Sequence, residues 1–278
     1  WTPFFQTWEL HGRFPNILED KIVGEEAQSL FRDAKEMLTK ITANHWLMAK
    51  AVYGIFPANT VGDDIEIYSD ENRSEVLNIQ RTLRQQTKKA SGQANLALAD
   101  FIAPKETGNI DYIGGFAVTA GLGIEQHIEK FEKDHDDYNS ILLKALADRL
   151  AEALAEYLHE RIRIDFWGYS KNEKLSNEDL VKEKYRGIRP APGYPACPDH
   201  TEKIGLFNLL NVKQNIGINL TESLAMTPAA SVSGWYFAHP ESKYFGVGKV
   251  TEEQIKDLAR RKNTNFRNIE KWYSSIII

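Results

Sequence analysis

The chain has 278 residues, of which 42 % are hydrophobic and 26 % charged, close to the average for a globular protein and too apolar for a disordered one. Its 34 basic and 39 acidic side chains leave a net charge of −5, which sets aside wholesale phosphate neutralisation and with it nucleic acid as a partner. A single cysteine, Cys197, excludes an internal disulfide and a multi-thiolate zinc site and suits a reducing cytoplasm. No apolar run approaches the roughly 18 residues needed to cross a bilayer, and no stretch reads as a secretory leader. The chain opens on Trp1, which we read as a piece of a larger polypeptide.

In chain order, WTPFF reads as extended, because Pro3 disfavours helix in the residue before it. Ala27, Leu30, Phe31, Ala34 and Leu38 keep helical spacing over Gly24 to Thr42. AVYGIF and IEIY read as strands on either side of a turn, PANTVGDD, whose Gly62 and Asp63 carry turn chemistry. A polar helix is expected over Val76 to Ala90. LADFIA and DYIGGFAVTAG read as two further strands, the small residues of the second suiting close backbone contact. From Ile124 to Ile164 nearly every residue favours helix, with a break near His135. There Leu143, Leu146, Leu150, Leu154 and Leu158 form one apolar stripe. Short helices follow at Asn177 to Tyr185 and Thr201 to Leu210. NLTESLAM, SGWYFAHP and KYFGVGKV read as strands. Thr251 caps a helix with Gln254 in the capping-box position, and a last helix lies near Phe266. Strands come as neighbouring pairs, so the fold class is α+β with an antiparallel sheet.

The densest chemistry lies in RGIRPAPGYPACPDH, Arg186 to His200, which holds four of the chain's ten prolines. Pro190, Pro192, Pro195 and Pro198 predict a polyproline-like loop. Arg189 offers a planar fork suited to a carboxylate, Gly193 allows close approach of a ligand, and Tyr194 adds a flat ring and a hydroxyl. The stretch is therefore either a site for a small carboxylate with an aromatic ring or a rigid connector in which Arg189 pairs with a structural acid. Cys197 and His200 could form a thiolate–imidazole pair, but a buried, inert cysteine is the simpler reading.

Other motifs carry less. HDDY, His135 to Tyr138, has metal-ligand residue types, but consecutive helical residues point apart, so a solvated face is expected. Asp148, Glu152 and Glu156 recur every four residues. They form either a solvated face, partly offset by Arg149 and Arg163, or an acidic wall facing a cation. GVGK at Gly246 to Lys249 and the run GGFAVTAGLG fail the nucleotide-loop patterns. Ser233 to Phe245 holds five aromatic residues, most of them expected in the core.

RPAPGYPACPDHTEK, LTESLAM, SGWYFAHPESKYF and ARRK resemble the C-terminal activation domain of cobalamin-dependent methionine synthase. So do WTPFF, ILEDKIVGEEAQ, VGDDIEIY, LRQQT, LADFIAPK, HDDYN and KALADRLAEALAEYLHE, in order, across the whole chain. The resemblance implies a C-shaped single domain over residues 1–278, with a bent antiparallel sheet, flanking helices and one long helix, cut from a multidomain enzyme. It implies a methyltransferase module that binds S-adenosylmethionine. One electron from a flavodoxin-type donor reduces inactive cob(II)alamin to cob(I)alamin, which takes the sulfonium methyl and leaves S-adenosylhomocysteine. The cobalamin belongs to another domain of the same polypeptide, so the methyl group must stay exposed in a shallow groove. No residue of this chain is then needed as nucleophile, general base or metal ligand.

By that resemblance Arg189 holds the methionine carboxylate, and backbone groups around Ala191 and Gly193 meet the adenosyl end. Tyr194 completes the family's R-x-x-x-G-Y pattern. Tyr244 and Phe245 match its ligand-contacting aromatic pair. Asp148 matches an acid that receives the cobalt-ligand histidine of the partner domain, and Glu152 lies one turn on, towards the ligand. Two departures are visible: the family's aspartate just before WTPFF lies outside the chain, and Ile124 replaces a second family acid, with Glu125 next to it. Two other classes remain open: a non-catalytic partner-docking module, and a hydrolase using Cys197 and His200.

Overall fold

The computed structural model describes residues 1–278. The chain forms two compact units, one of Trp1–Ala51, Val118–Tyr157 and Ile216–Val232, the other of Val52–Ala117, Leu158–Asn215 and Ser233–Ile278. Neither is a contiguous stretch, so no linker marks a boundary in the sequence.

The first unit is mainly helical. It opens with α1 (Thr2–Thr7), not the extended segment that WTPFF suggests. Pro3 lies in the first turn, where its missing N–H would have no helical partner anyway. α2 (Gly24–Ala43) buries Ala27, Leu30, Ala34, Met37 and Ile41, the face its spacing predicts. β1 (Met48–Val61) leaves this unit and continues through the expected PANTV turn, and Gly62, at φ 61°, makes the turn after it.

β2 (Asp64–Tyr68) pairs antiparallel with β1, Thr60 opposite Ile65. β3 (Val76–Arg81) pairs antiparallel with β2, Ile65 opposite Gln80, where a polar helix was expected. Val76 and Ile79 suit a strand, and Gln80 is wholly buried, so tertiary pairing overrides the polar local pattern. LADFIA is not a strand either. The Asp100 carboxylate accepts the Ala97 N–H at 2.9 Å and ion-pairs with Arg84 at 2.7 Å, closing a 3₁₀ turn over Leu98–Phe101. β4 (Asp111–Leu122) is the strand expected from DYIGGFAVTAG. A Cβ on its Gly114 would lie 2.9 Å from the Tyr236 Cβ, so only glycine admits that neighbour.

α3 (Glu125–Lys133) and α4 (Asp137–Arg161) divide at His135, which sits at φ 56°. Asp136 then caps α4, accepting the Asn139 N–H at 3.1 Å. The buried line of α4 is centred on Ala147, Ala151 and Ala155, all fully buried, with Leu143, Leu146 and Leu158 beside them. Small residues at the centre let the helix pack closely, and the leucine stripe flanks that line. Helices α1 and α2 pack with the first half of α4 in one apolar cluster that includes Phe4, Phe5, Leu30, Met37, Leu143 and Leu146.

Short helices α5 (Asn177–Val181), α6 (Glu202–Leu209) and α7 (Val212–Ile216) follow. NLTESLAM is a small hairpin, β5 (Asn219–Leu220) against β6 (Met226–Thr227), not a single strand. β7 (Ser231–Tyr236) completes a five-stranded sheet of order β3-β2-β1-β4-β7. KYFGVGKV forms no strand, and Gly248 there sits at φ 79°. α8 (Glu252–Arg261) carries the expected box: Gln254 N–H to Thr251 Oγ1 at 3.4 Å and Thr251 N–H to Gln254 Oε1 at 3.2 Å. α9 (Phe266–Tyr273) packs with α8 around Ile255, Leu258, Ile269 and Tyr273. The fold class is α+β, as expected.

Candidate functional site

Arg186–His200 is a loop in the second unit, built from two tight turns and not the polyproline-like run its four prolines suggest. Pro192 and Gly193 are the corners of the first, closed by the Tyr194 N–H to the Ala191 carbonyl at 3.1 Å. Proline followed by a residue at positive φ defines a type II turn, and Gly193 has φ 98°. Pro195 and Ala196 are the corners of the second, closed by Cys197 N–H to Tyr194 carbonyl at 2.9 Å. A third bond, Gly193 N–H to Cys197 carbonyl at 2.7 Å, locks the two together. Proline presets φ at each first corner, so the loop loses little entropy on ordering.

Gly193 has a second constraint, since a Cβ there would run into the His200 ring. Gly193→Ala is expected to cost about 1–3 kcal/mol of stability through the positive φ and this collision. Urea unfolding of the variant beside the parent measures it.

The loop is anchored on β7. Ile188 and Phe237 exchange backbone hydrogen bonds at 3.1 and 3.0 Å, and Trp235 N–H donates to the Pro190 carbonyl at 2.9 Å. Gly234 permits that approach, because a Cβ would lie 2.8 Å from the same carbonyl. The segment Tyr244–Val250 lies alongside, tied by Val247 N–H to the Pro195 carbonyl at 2.8 Å.

These anchors bring together residues 55 positions apart: the Arg189 N–H donates to the Tyr244 hydroxyl at 3.0 Å. Tyr244 is 39 % and Tyr194 62 % exposed, and Arg189 is half-buried. Ala191 and Gly193 are half-buried. Phe245 packs edge-on to Phe101 at 6.3 Å between centroids. Neighbouring aromatics thus serve opposite sides, although their segment is not a strand.

Behind Arg189 lies a buried polar layer that the sequence did not single out. His159 is fully buried, stacked on Tyr236 at 5.0 Å and edge-on to Tyr185 at 4.9 Å. Burial, and then the charges of Arg163 and Arg189, hold its imidazole well below the usual range, so it is neutral. Arg163 is also buried. Its Nε donates to the Glu173 carboxylate at 2.9 and 3.1 Å, its Nη2 ion-pairs there at 2.7 Å, and its guanidinium lies over the Tyr185 ring at 4.3 Å. The only sequence signals were ionisable residues on a helix that continues into the sheet layer.

Cys197 is 4 % exposed and accepts a hydrogen bond from Gln80 Nε2 at 3.3 Å. Burial pushes its thiol well up, away from a thiolate nucleophile. His200 Nδ1 instead lies 3.0 Å from Lys203 Nζ.

Asp148 and Glu152 belong to the first unit. Both are half-buried, and Asp148 ion-pairs with neighbouring Arg149. Asp148 also borders a cavity of about 520 Å³ whose lining includes Thr7, Ile124, Glu125, Lys144 and Pro228. Ile124 and Glu125 are the two positions at the departure noted above, and both reach this cavity.

This α+β fold with its sheet-anchored loop has a close solved counterpart. A crystal structure of the MetH reactivation domain bound to AdoHcy is similar to this chain with a TM-score of 0.97 and 58 % sequence identity, covering 100 % of this chain and 85 % of that one. More specifically, residues 1–263 match the family described as vitamin B12 dependent methionine synthase, activation domain. The chain belongs to that family, and so to a methyltransferase system.

Proposed function

We propose that this chain, as a module of a larger cytoplasmic methionine synthase, binds S-adenosylmethionine and presents its methyl group to cob(I)alamin during reductive reactivation. The observation that carries the reading is the relative at 58 % identity, whose ligand, AdoHcy, is what S-adenosylmethionine becomes on losing its methyl. The local chemistry supports it. Arg189 supplies a planar cationic fork for the amino-acid carboxylate. Tyr244 stands on its backbone N–H at 3.0 Å. Backbone groups around Ala191 and Gly193 meet the adenosyl end, Tyr194 completes the loop's motif, and Tyr244 and Phe245 are the ligand-contacting aromatic pair.

The cobalamin, held by a neighbouring domain of the same polypeptide, would supply the nucleophile for the methyl group when it is docked. This chain's residues bind and orient the methyl donor, and no proton moves. Asp148 accepts a hydrogen bond from the partner domain's histidine. A flavodoxin-type protein provides the electron.

The test is calorimetric titration of the 278-residue chain with S-adenosylmethionine and with S-adenosylhomocysteine. Saturable binding of both is expected. Absence of heat with either would favour a docking module. Supplied with homocysteine, the chain alone is expected to make no methionine, and a turnover assay by mass spectrometry checks this.

A further inference from the structure

The segment Tyr244–Val250 pairs in no strand, so isolated bonds set its place beside the proline loop. One peptide unit in it is held at both ends. The Val247 N–H donates to the Pro195 carbonyl at 2.8 Å. The Gly246 carbonyl, the other end of the same planar group, accepts from Gln85 Nε2 at 2.7 Å. Gln85 lies 161 positions away in the chain and is 9 % exposed.

The Gln85 amide has one orientation open to it. Its Oε1 accepts the Leu96 N–H at 3.0 Å and Lys89 Nζ at 2.5 Å. Both partners only donate, and the Gly246 carbonyl only accepts. Reversing the amide would set donors against donors at one end and oxygen against oxygen at the other. The backbone beneath Gln85 is fixed as well. Its N–H donates to the Leu96 carbonyl at 3.0 Å, and Gln254 Nε2 donates to the Arg84 carbonyl at 2.9 Å. The Arg84 guanidinium is held by Asp63 at 2.6 Å and Asp100 at 2.7 Å, and Leu83 packs in one apolar cluster with Val247 and Val250.

We propose that Gln85 is a positioning residue of the ligand site: it fixes the Gly246–Val247 peptide, and with it the place of Tyr244 and Phe245 against the loop that carries Arg189. This rests on the reading that Tyr244 and Phe245 touch the ligand. Without the strut the segment strays in the free chain, and a ligand must bring it back before it can bind. Apparent affinity then falls in proportion to the fraction of molecules still in place.

Gln85→Glu keeps the size of the side chain and both accepted bonds, and deletes only the proton donated to Gly246. Calorimetry with S-adenosylhomocysteine is paired with hydrogen exchange resolved by peptide. The variant is expected to bind about three- to tenfold more weakly, the scale of one hydrogen bond. Faster exchange should be confined to peptides covering Tyr244–Val250, and saturating S-adenosylhomocysteine should restore their protection. Unchanged affinity overturns the proposal. A merely structural role would raise exchange equally across β1, β2 and β3, and that result overturns it too. If Gln85→Glu does not fold, Gln85→Met, which adds no charge, carries the same test with the same outcomes. The parent chain gives a check that needs no variant: the Val247 amide should be protected before any ligand is added, and exchange at the rate of an open amide overturns the proposal. Tyr244→Phe and Phe245→Leu run in parallel separate the two levels. If both spare binding, the underlying reading of the aromatic pair fails. If they weaken it while Gln85→Glu does not, only the role of Gln85 fails.

Discussion

Arg189→Ala is expected to weaken S-adenosylmethionine binding by about 1.5–3 kcal/mol, the range for hydrogen bonds to a charged group, or roughly ten- to hundredfold in Kd. The loop should survive the change. Its place on β7 depends on backbone bonds of Ile188, Pro190, Trp235 and Phe237, and the Arg189 bond to Tyr244 uses the main-chain N–H, which alanine keeps. The loss would therefore report the guanidinium and not a collapsed site. Arg189→Lys should recover only part of it, because an ammonium cannot match a carboxylate with two parallel N–H groups. Calorimetry gives both affinities directly, and parental affinity in the alanine variant would remove Arg189 from the site.

Lys262→Met should cost about 3–5 kcal/mol, the usual penalty for removing one partner of a buried ion pair. Lys262 Nζ lies 2.7 Å from Asp199 Oδ2 and 2.5 Å from Glu202 Oε1, and the two carboxylates are 3 % and 6 % exposed. The variant leaves both acids buried with no cation between them. Even with Lys262 present, burial pushes the Glu202 carboxyl up from 4.5 to about 7, outweighing the pull of the lysine. The folded state thus holds this proton more tightly than the unfolded chain. The contribution of Glu202 to stability is full below about 4.5, falls as pH rises to about 7 and is flat above it. Glu202→Gln should remove that slope, and Lys262→Met should be less damaging at pH 5.5 than at pH 8. Urea unfolding at the two pH values measures both effects. A loss under about 1 kcal/mol for Lys262→Met, or a parallel pH slope in Glu202→Gln, would contradict this account.

What could be read from the sequence was what neighbouring residues decide among themselves. Periodicity marked α2 and α4. A helix break was legible near His135, and the Thr251–Gln254 box placed the start of α8. Proline and glycine marked Arg186–His200 as a loop with unusual chemistry, although their order there produces type II geometry and not an extended run. The quoted motifs carried the family.

Where local and distant forces disagree, local reading failed. Val76–Arg81 looks like a polar helix alone and becomes a strand because β2 offers a ladder and Gln80 a buried partner. LADFIA is apolar enough for a strand, yet Asp100 and Arg84 fold it into a turn. Likewise, alanines centre the packing face of α4 because close approach rewards small side chains more than hydrophobicity alone.

The sequence by itself therefore determined the α+β class, the main helices, the presence of the proline loop and the family. Only the tertiary structure decided that Tyr244 meets Arg189, that Tyr185 packs against buried His159 and Arg163, and that Lys262 closes a buried pair of acids. Such contacts join residues tens of positions apart, and their geometry comes from sheet pairing and packing, which no short window of sequence encodes.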